Sequence, residues 1–219
     1  MTAAIIVASG SSQRMGFDKL LADIDGKPVL QHSVEAFLAV EGIEQIIVVC
    51  PEERWRQIEI SDERITRVDG GATRQNSVNA GLEALAEGIE LVAIHDGARP
   101  LVAPTDIEDC IATAKDYGAA TLAKPATETM MRADEDGFST KRVDREQIWF
   151  METPQVFETE QLAKAAQYTR SANLNCTDEV SALQTIGGRV KFIEPSKPNL
   201  KITTPSDLAL AAALLKDAE

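Results

Sequence analysis

Residues 3–16 read AAIIVASGSSQRMG, and the break inside this stretch decides the fold. Ala3 to Ala8 is apolar at every position, the pattern of a strand buried on both faces. It gives way at once to Ser9, Gly10, Ser11 and Ser12, with Arg14 and Gly16 close behind. Outward from there the same punctuation recurs. Ile46 to Cys50, Thr66 to Asp69, Leu91 to His95 and Ala119 to Ala123 are further short runs that end in polar residues, Gly or Pro. Between them apolar residues fall at helical spacing: Leu30, Val34, Phe37 and Leu38, then Val78, Leu82 and Leu85, then Ile107 and Ile111. Alternating strand and helix predicts an α/β fold with a doubly wound, mostly parallel sheet.

From Thr127 to Trp149 the pattern becomes polar around Asp134-Glu135-Asp136-Gly137, as in a hairpin with an acidic turn leaving the main sheet. The chain returns through Glu152-Thr153-Pro154-Gln155. It then forms a helix near Glu158 to Tyr168, another capped by Thr177 or Asp178, a strand near Val190 to Ile193, and a closing helix from Pro205 with Thr204 as its N-cap. Ordinary globular proportions, 44% hydrophobic and 26% charged over 219 residues, suit a single domain spanning 1–219 with an arm at about 126–149.

A net charge of -13 repels nucleic acid and anionic lipid over most of the surface, so neither is an expected partner and any polyanion needs a local basic cluster. Cys50, Cys110 and Cys176 are odd in number and widely spaced, which offers no disulfide framework or zinc pattern and reads as free thiols in a reducing compartment. No apolar stretch reaches 18 residues and no basic leader precedes the first run, so the expected location is the cytoplasm.

In doubly wound sheets ligands bind beyond the carboxyl ends of the strands. The residues there are Ser9 to Gly16, Gly70-Gly71-Ala72-Thr73-Arg74, His95 to Pro100, and Lys124-Pro125. A Gly and Ser loop exposes backbone N–H groups that cradle phosphates, although this one lacks both the P-loop ending and the dinucleotide fingerprint, and a plain tight turn would look the same. Arg14 and Lys19 beside it favour a triphosphate. Asp96, at a buried strand end, reads either as a Mg²⁺ ligand or as an ion-pair partner of Arg99. His95 reads as a hydrogen-bonded structural residue more readily than as a base. Lys201 follows Pro195-Ser196-Lys197-Pro198-Asn199-Leu200, a stiff approach that could aim its ammonium into the site. Arg145 reads as a solvated partner of Asp144.

In order along the chain, VASGSSQRMG, DGGATRQNSVNAGL, IHDGARP, ETMMRA, VDR, ETPQVF, TDEVSAL and NLKITTPSDLALA resemble the 2-C-methyl-D-erythritol 4-phosphate cytidylyltransferases from Ala3 to about Leu214. The resemblance implies a Rossmann-like nucleotidyltransferase that uses Mg²⁺ to join CTP and 2-C-methyl-D-erythritol 4-phosphate with release of pyrophosphate. It assigns Arg14, Lys19 and Lys201 to catalysis. It gives CTP binding to Ala8, Ser9, Gly10, Ser12, Gly71, Ala72, Ser77 and Gly97, acceptor binding to Arg99, Thr129, Arg145, Thr153 and Thr177, and the metal to Asp96. It further implies a homodimer in which the arm carries Arg145 to the partner's site. Two other readings stay in view: a ribitol 5-phosphate cytidylyltransferase, which shares the loops, and a non-catalytic nucleotide-binding module.

Overall fold

The computed structural model describes residues 1–10 and 16–216. In chain order the elements are β1 (Thr2–Val7), β2 (Asp23–Ile24), β3 (Lys27–Pro28), α1 (Val29–Leu38), β4 (Ile43–Val49), α2 (Glu52–Trp55), β5 (Ile65–Val68), α3 (Arg74–Glu83), β6 (Leu91–Asp96), α4 (Pro104–Tyr117), β7 (Ala119–Pro125), β8 (Met130–Ala133), β9 (Ser139–Val143), β10 (Trp149–Glu158), α5 (Thr159–Ser171), α6 (Glu179–Gln184), β11 (Lys191–Ile193) and α7 (Pro205–Lys216). The main sheet runs β11-β7-β10-β6-β1-β4-β5, with every neighbouring pair parallel except those made by β10. The doubly wound expectation holds.

The unbroken apolar character of the first run has a direct structural cause. Ala4 and Ile6 of β1 join Val34 and Phe37 of α1 and Ile107 of α4 on one side of the sheet. Ile5 points to the other side and meets Val78 of α3, Leu162 of α5 and Val180 of α6. Each face therefore removes its own row of side chains from water, at roughly 1.5–3 kcal/mol for each fully buried large aliphatic residue.

The polar segment forms the expected hairpin, β8 paired antiparallel with β9, and Asp134 Oδ1 accepts the N–H groups of Asp136 and Phe138 across its turn. The open choice of cap for α6 resolves to Asp178, which accepts from the Ser181 N–H. At α7 Thr204 precedes Pro205 at the expected N-cap position; Asp207 reaches back and its Oδ2 accepts the N–H groups of both Thr203 and Thr204 at 2.7 Å, while the Thr204 hydroxyl lies 3.4 Å from that of Ser206.

Two features depart from the sequence reading. The short pair β2 and β3 was not foreseen, because two-residue strands carry no periodicity. The segment around Pro154 is also more than a returning loop: it is β10, inserted between β6 and β7 near the centre of the sheet. Proline donates no ladder hydrogen bond, which argues against a central strand. The sheet accommodates it at a break in register between Met151 and Gln155.

Candidate active site

The carboxyl ends of β1, β5 and β6 and the approach to α7 enclose a cavity of about 370 Å³ lined by Ala8, Ser9, Gly10, Lys19, Gly71, Ala72, Thr73, Arg74, Ser77, Asp96, Ala98 and Lys201, with Val7 and Leu20. Residues 193 positions apart in sequence thus share one wall. Close approach of neighbouring atoms explains Gly71 and Gly97. A Cβ on Gly97 would lie 2.8 Å from Leu30 Cδ1 and 3.3 Å from the Ala8 Cβ, and a Cβ on Gly71 would lie 2.4 Å from the Asn76 Cβ. The Gly97 N–H meets the Val7 carbonyl at 3.0 Å, which draws the ends of β6 and β1 together.

The loop after β5 is ordered by the helix it enters. Thr73 caps α3 by accepting from the Asn76 N–H, and the Ser77 hydroxyl accepts from the Gly71 N–H at 3.2 Å while donating to the Thr73 carbonyl. Thr73 and Arg74 place the first turn of α3 against the cavity, where its N–H groups favour negative charge.

Charge in the cavity is opposite to that of the whole chain. Lys19, Arg74 and Lys201 face it together with one carboxylate, Asp96. Lys201 Nζ donates to Asp96 Oδ2 at 2.6 Å and Arg74 Nε donates to Asp96 Oδ1 at 3.1 Å. Arg74 also grips both oxygens of Glu179 at 2.8 Å. Burial opposes ionisation of Asp96, but Arg74 and Lys201 outweigh it and hold its carboxyl well below the usual carboxylate range. The ion pair weighed for Asp96 was with Arg99, and the structure corrects this: Arg74 and Lys201 take that place. Arg99 lies away from the cavity wall, donating to the carbonyls of Asn199 at 2.7 Å and Met151 at 3.4 Å, with Glu152 at 3.8 Å. Lys19 Nζ donates to the Ile202 carbonyl at 2.6 Å, next to Lys201 in sequence.

Thr153 is buried in a hydrogen-bonded chain. Its Oγ1 accepts from the Asp96 N–H at 3.1 Å and lies 3.0 Å from His95 Nδ1. Because the Arg99 carbonyl can only accept, His95 Nε2 carries the ring proton and donates it there at 3.2 Å, which leaves Nδ1 of the neutral ring to accept the Thr153 hydroxyl proton. Burial lowers the His95 pKa to about 3, so the ring stays neutral at physiological pH. This is the structural role the sequence suggested.

The expected site residues therefore divide. Ala8, Ser9, Gly10, Lys19, Gly71, Ala72, Ser77, Asp96 and Lys201 converge on the cavity, with Gly97 at its seam. Arg99 and Thr153 are buried within the fold beside it. Thr129, Arg145 and Thr177 are exposed and outside its wall, and Arg145 donates to the Thr127 carbonyl at the base of the arm. Ser12 and Arg14 lie outside the described residues. Sequence reasoning missed Arg74 and Glu179, although both fall within quoted motifs, since an arginine and a glutamate 105 residues apart carry no mark of pairing. It also missed Arg54, whose guanidinium donates to the carbonyls of Ala8 and Gly10 and to Asp18.

The whole chain has recognisable relatives. Residues 2–217 match the family profile described as IspD, 2-C-methyl-D-erythritol 4-phosphate cytidylyltransferase. A 2-C-methyl-D-erythritol 4-phosphate cytidylyltransferase from Pelotomaculum thermopropionicum is 37% identical over 98% of this chain and 94% of its own length. One from Caldanaerobacter subterraneus subsp. tengcongensis is 39% identical over 97% and 98%. The crystal structure of 4-diphosphocytidyl-2C-methyl-D-erythritol synthase from Anaerococcus prevotii superposes with a TM-score of 0.87 at 27% identity, covering 99% of this chain and 96% of that one. By the extent of these matches and the order of its motifs, the chain belongs to the 2-C-methyl-D-erythritol 4-phosphate cytidylyltransferase family.

Proposed function

We propose that this protein transfers CMP from CTP to 2-C-methyl-D-erythritol 4-phosphate, giving 4-diphosphocytidyl-2-C-methyl-D-erythritol and pyrophosphate in isoprenoid precursor biosynthesis. The observation that carries the reading is the group of three cations, Lys19, Arg74 and Lys201, around one glycine-lined cavity on a strongly acidic chain. A phosphate monoester has its second pKa near ~6 and attacks as an anion without a general base. What the protein must supply is charge stabilisation at the α-phosphorus and at the departing pyrophosphate. Lys201, Lys19 and Arg14 do this. Ala8, Ser9, Gly10 and Ser12 offer loop donors to the phosphates. Gly71, Ala72 and Ser77 read the base, and Gly97 lets the ribose approach.

Among the described residues no group of three or more His, Cys, Asp and Glu could hold a metal without help. Mg²⁺ suits such a setting, because it takes one or two carboxylates and completes its octahedron with phosphate oxygens and water. Asp96, ionised and on the cavity wall, is the residue that would hold it. When bound, the ion neutralises phosphate charge; Asp96 meanwhile keeps Lys201 and Arg74 oriented toward the cavity.

The acceptor is held by Arg99, Thr129, Arg145, Thr153 and Thr177, with Arg145 delivered by the arm of a second subunit in a homodimer. In support, Arg145 is exposed on its own chain, and Met131 and Phe138 expose apolar surface on the arm. The enzyme works in the cytoplasm, consistent with three free cysteines, of which Cys50 is pushed up to about 11 by burial.

The test is pyrophosphate release by purified protein with Mg²⁺, CTP and either 2-C-methyl-D-erythritol 4-phosphate or ribitol 5-phosphate. Turnover with the first acceptor is expected; turnover only with the second, or CTP binding without turnover, overturns the proposal. Lys201→Ala should lower kcat by several orders of magnitude more than it weakens CTP binding, and equal losses would confine the lysine to ground-state binding.

A further inference from the structure

We infer that Arg54 is a positioning residue for nucleotide phosphates, acting from behind the loop that follows β1; this rests on the proposed use of the cavity for a nucleoside triphosphate. Arg54 belongs to the single turn α2, is 7% exposed and is not part of the cavity wall. Its fork reaches the start of the loop, at Ala8 and Gly10, and Asp18 beyond it. One amino group donates to the Ala8 carbonyl, the other donates to the Gly10 carbonyl at 3.1 Å, and Nε donates to Asp18 Oδ2 at 2.8 Å. Asp18 passes the constraint onward, since its Oδ1 accepts the Leu20 N–H at 3.1 Å and Lys19 lies between them.

The consequence follows from peptide geometry. In a planar trans peptide the N–H points opposite to the C=O. Drawing the Ala8 carbonyl to the side of Arg54 turns the Ser9 N–H the other way, and Ser9 lines the cavity. A peptide whose carbonyl faced the cavity would repel phosphate; with Arg54 holding the Ala8 carbonyl, the Ser9 amide turns its N–H away from the guanidinium. The guanidinium adds a fixed positive charge behind those donors, and its planar fork matches three acceptors where a lysine reaches one or two. Asp18 is 30% exposed on its side chain and offsets that charge only in part.

The experiment measures dissociation constants of CTP, pyrophosphate and CMP by calorimetry for the wild type, Arg54→Lys and Asp18→Asn, alongside ligand-free melting and turnover. Loss of oriented donors should weaken CTP and pyrophosphate by about tenfold or more in Arg54→Lys, the equivalent of one charge-assisted hydrogen bond, while CMP changes by less than about twofold. Asp18→Asn keeps an oxygen for Arg54 Nε but removes the charge that offsets the guanidinium, so it should shift the CTP-to-CMP ratio the opposite way, toward tighter CTP, by about threefold. A merely structural arginine predicts otherwise: all three ligands weaken together in proportion to lost melting temperature. That result, or an unchanged ratio in both variants, overturns the inference. If Arg54→Lys does not fold, the Asp18→Asn ratio decides alone. A wild type that binds CTP but turns over no acceptor defeats the proposed reaction and leaves the role of Arg54 standing, because that role is read from binding.

Discussion

Replacing Thr153 by valine removes one oxygen and leaves two buried groups without a partner. The hydroxyl accepts the Asp96 N–H at 3.1 Å and donates to His95 Nδ1 at 3.0 Å, with Thr153 4% exposed and His95 fully buried. Valine has nearly the same shape, so little cavity forms and the loss is that of hydrogen bonding. An unsatisfied buried polar group costs about 1–3 kcal/mol, which puts Thr153→Val at about 2–6 kcal/mol for the pair. For a chain of this size each kilocalorie moves Tm by about 2–4 °C, giving a fall of about 4–24 °C. Thr153→Ser keeps the hydroxyl, loses one methyl group, and should cost about 1 kcal/mol. Urea unfolding of the three proteins, followed by circular dichroism, measures the midpoints. The midpoint should fall with an unchanged slope, since the same surface is exposed on unfolding. A valine variant as stable as the serine variant would refute the reasoning and free the hydroxyl for a different task.

His95 should remain neutral at pH 5, where an ordinary histidine is charged, and ring carbon shifts read this directly. Its folded pKa, about 3, lies below the ordinary histidine value of 6.5, so protons favour the unfolded chain. This group's contribution to stability is therefore complete above about pH 6.5 and is lost as pH falls toward 3, at up to about 1.4 kcal/mol per unit. Arg74→Lys should lower stability by about 1–3 kcal/mol and weaken CTP binding, because an ammonium cannot span both Glu179 oxygens and Asp96; an unchanged melting point would argue that the pairing is incidental. Asp178→Ala removes the α6 cap and should cost about 1 kcal/mol in the same urea assay, with Asp178→Asn recovering most of it.

Much of this molecule was legible where chemistry is local. The strand-then-glycine pattern at Ala8 to Gly10 located one wall of the cavity, and the motif around Gly71 and Ser77 located another, because turns and caps depend on near neighbours. The register of β10 was not legible. Its motif Glu152-Thr153-Pro154-Gln155 reads only as a returning segment, and the break opposite β7, with the Thr153 side chain substituting for a ladder partner of Asp96, makes the strand tenable. The charge pairing of Asp96 was misassigned for a similar reason. Arg99 is three residues away, whereas Lys201 arrives from 105 residues downstream and Arg74 from a different loop. Sequence proximity favours the wrong arginine, and topology selects the right one.

The contact of Lys19 with the Ile202 carbonyl spans 183 positions, and so one side of the cavity is synthesised long after the other. At about 5–20 residues per second a ribosome needs roughly ten seconds or more to travel from Ala8 to Lys201. A chain that stopped before Lys201 would lack one wall of the cavity, so synthesis through Lys201 and Ile202 is a condition for assembling it.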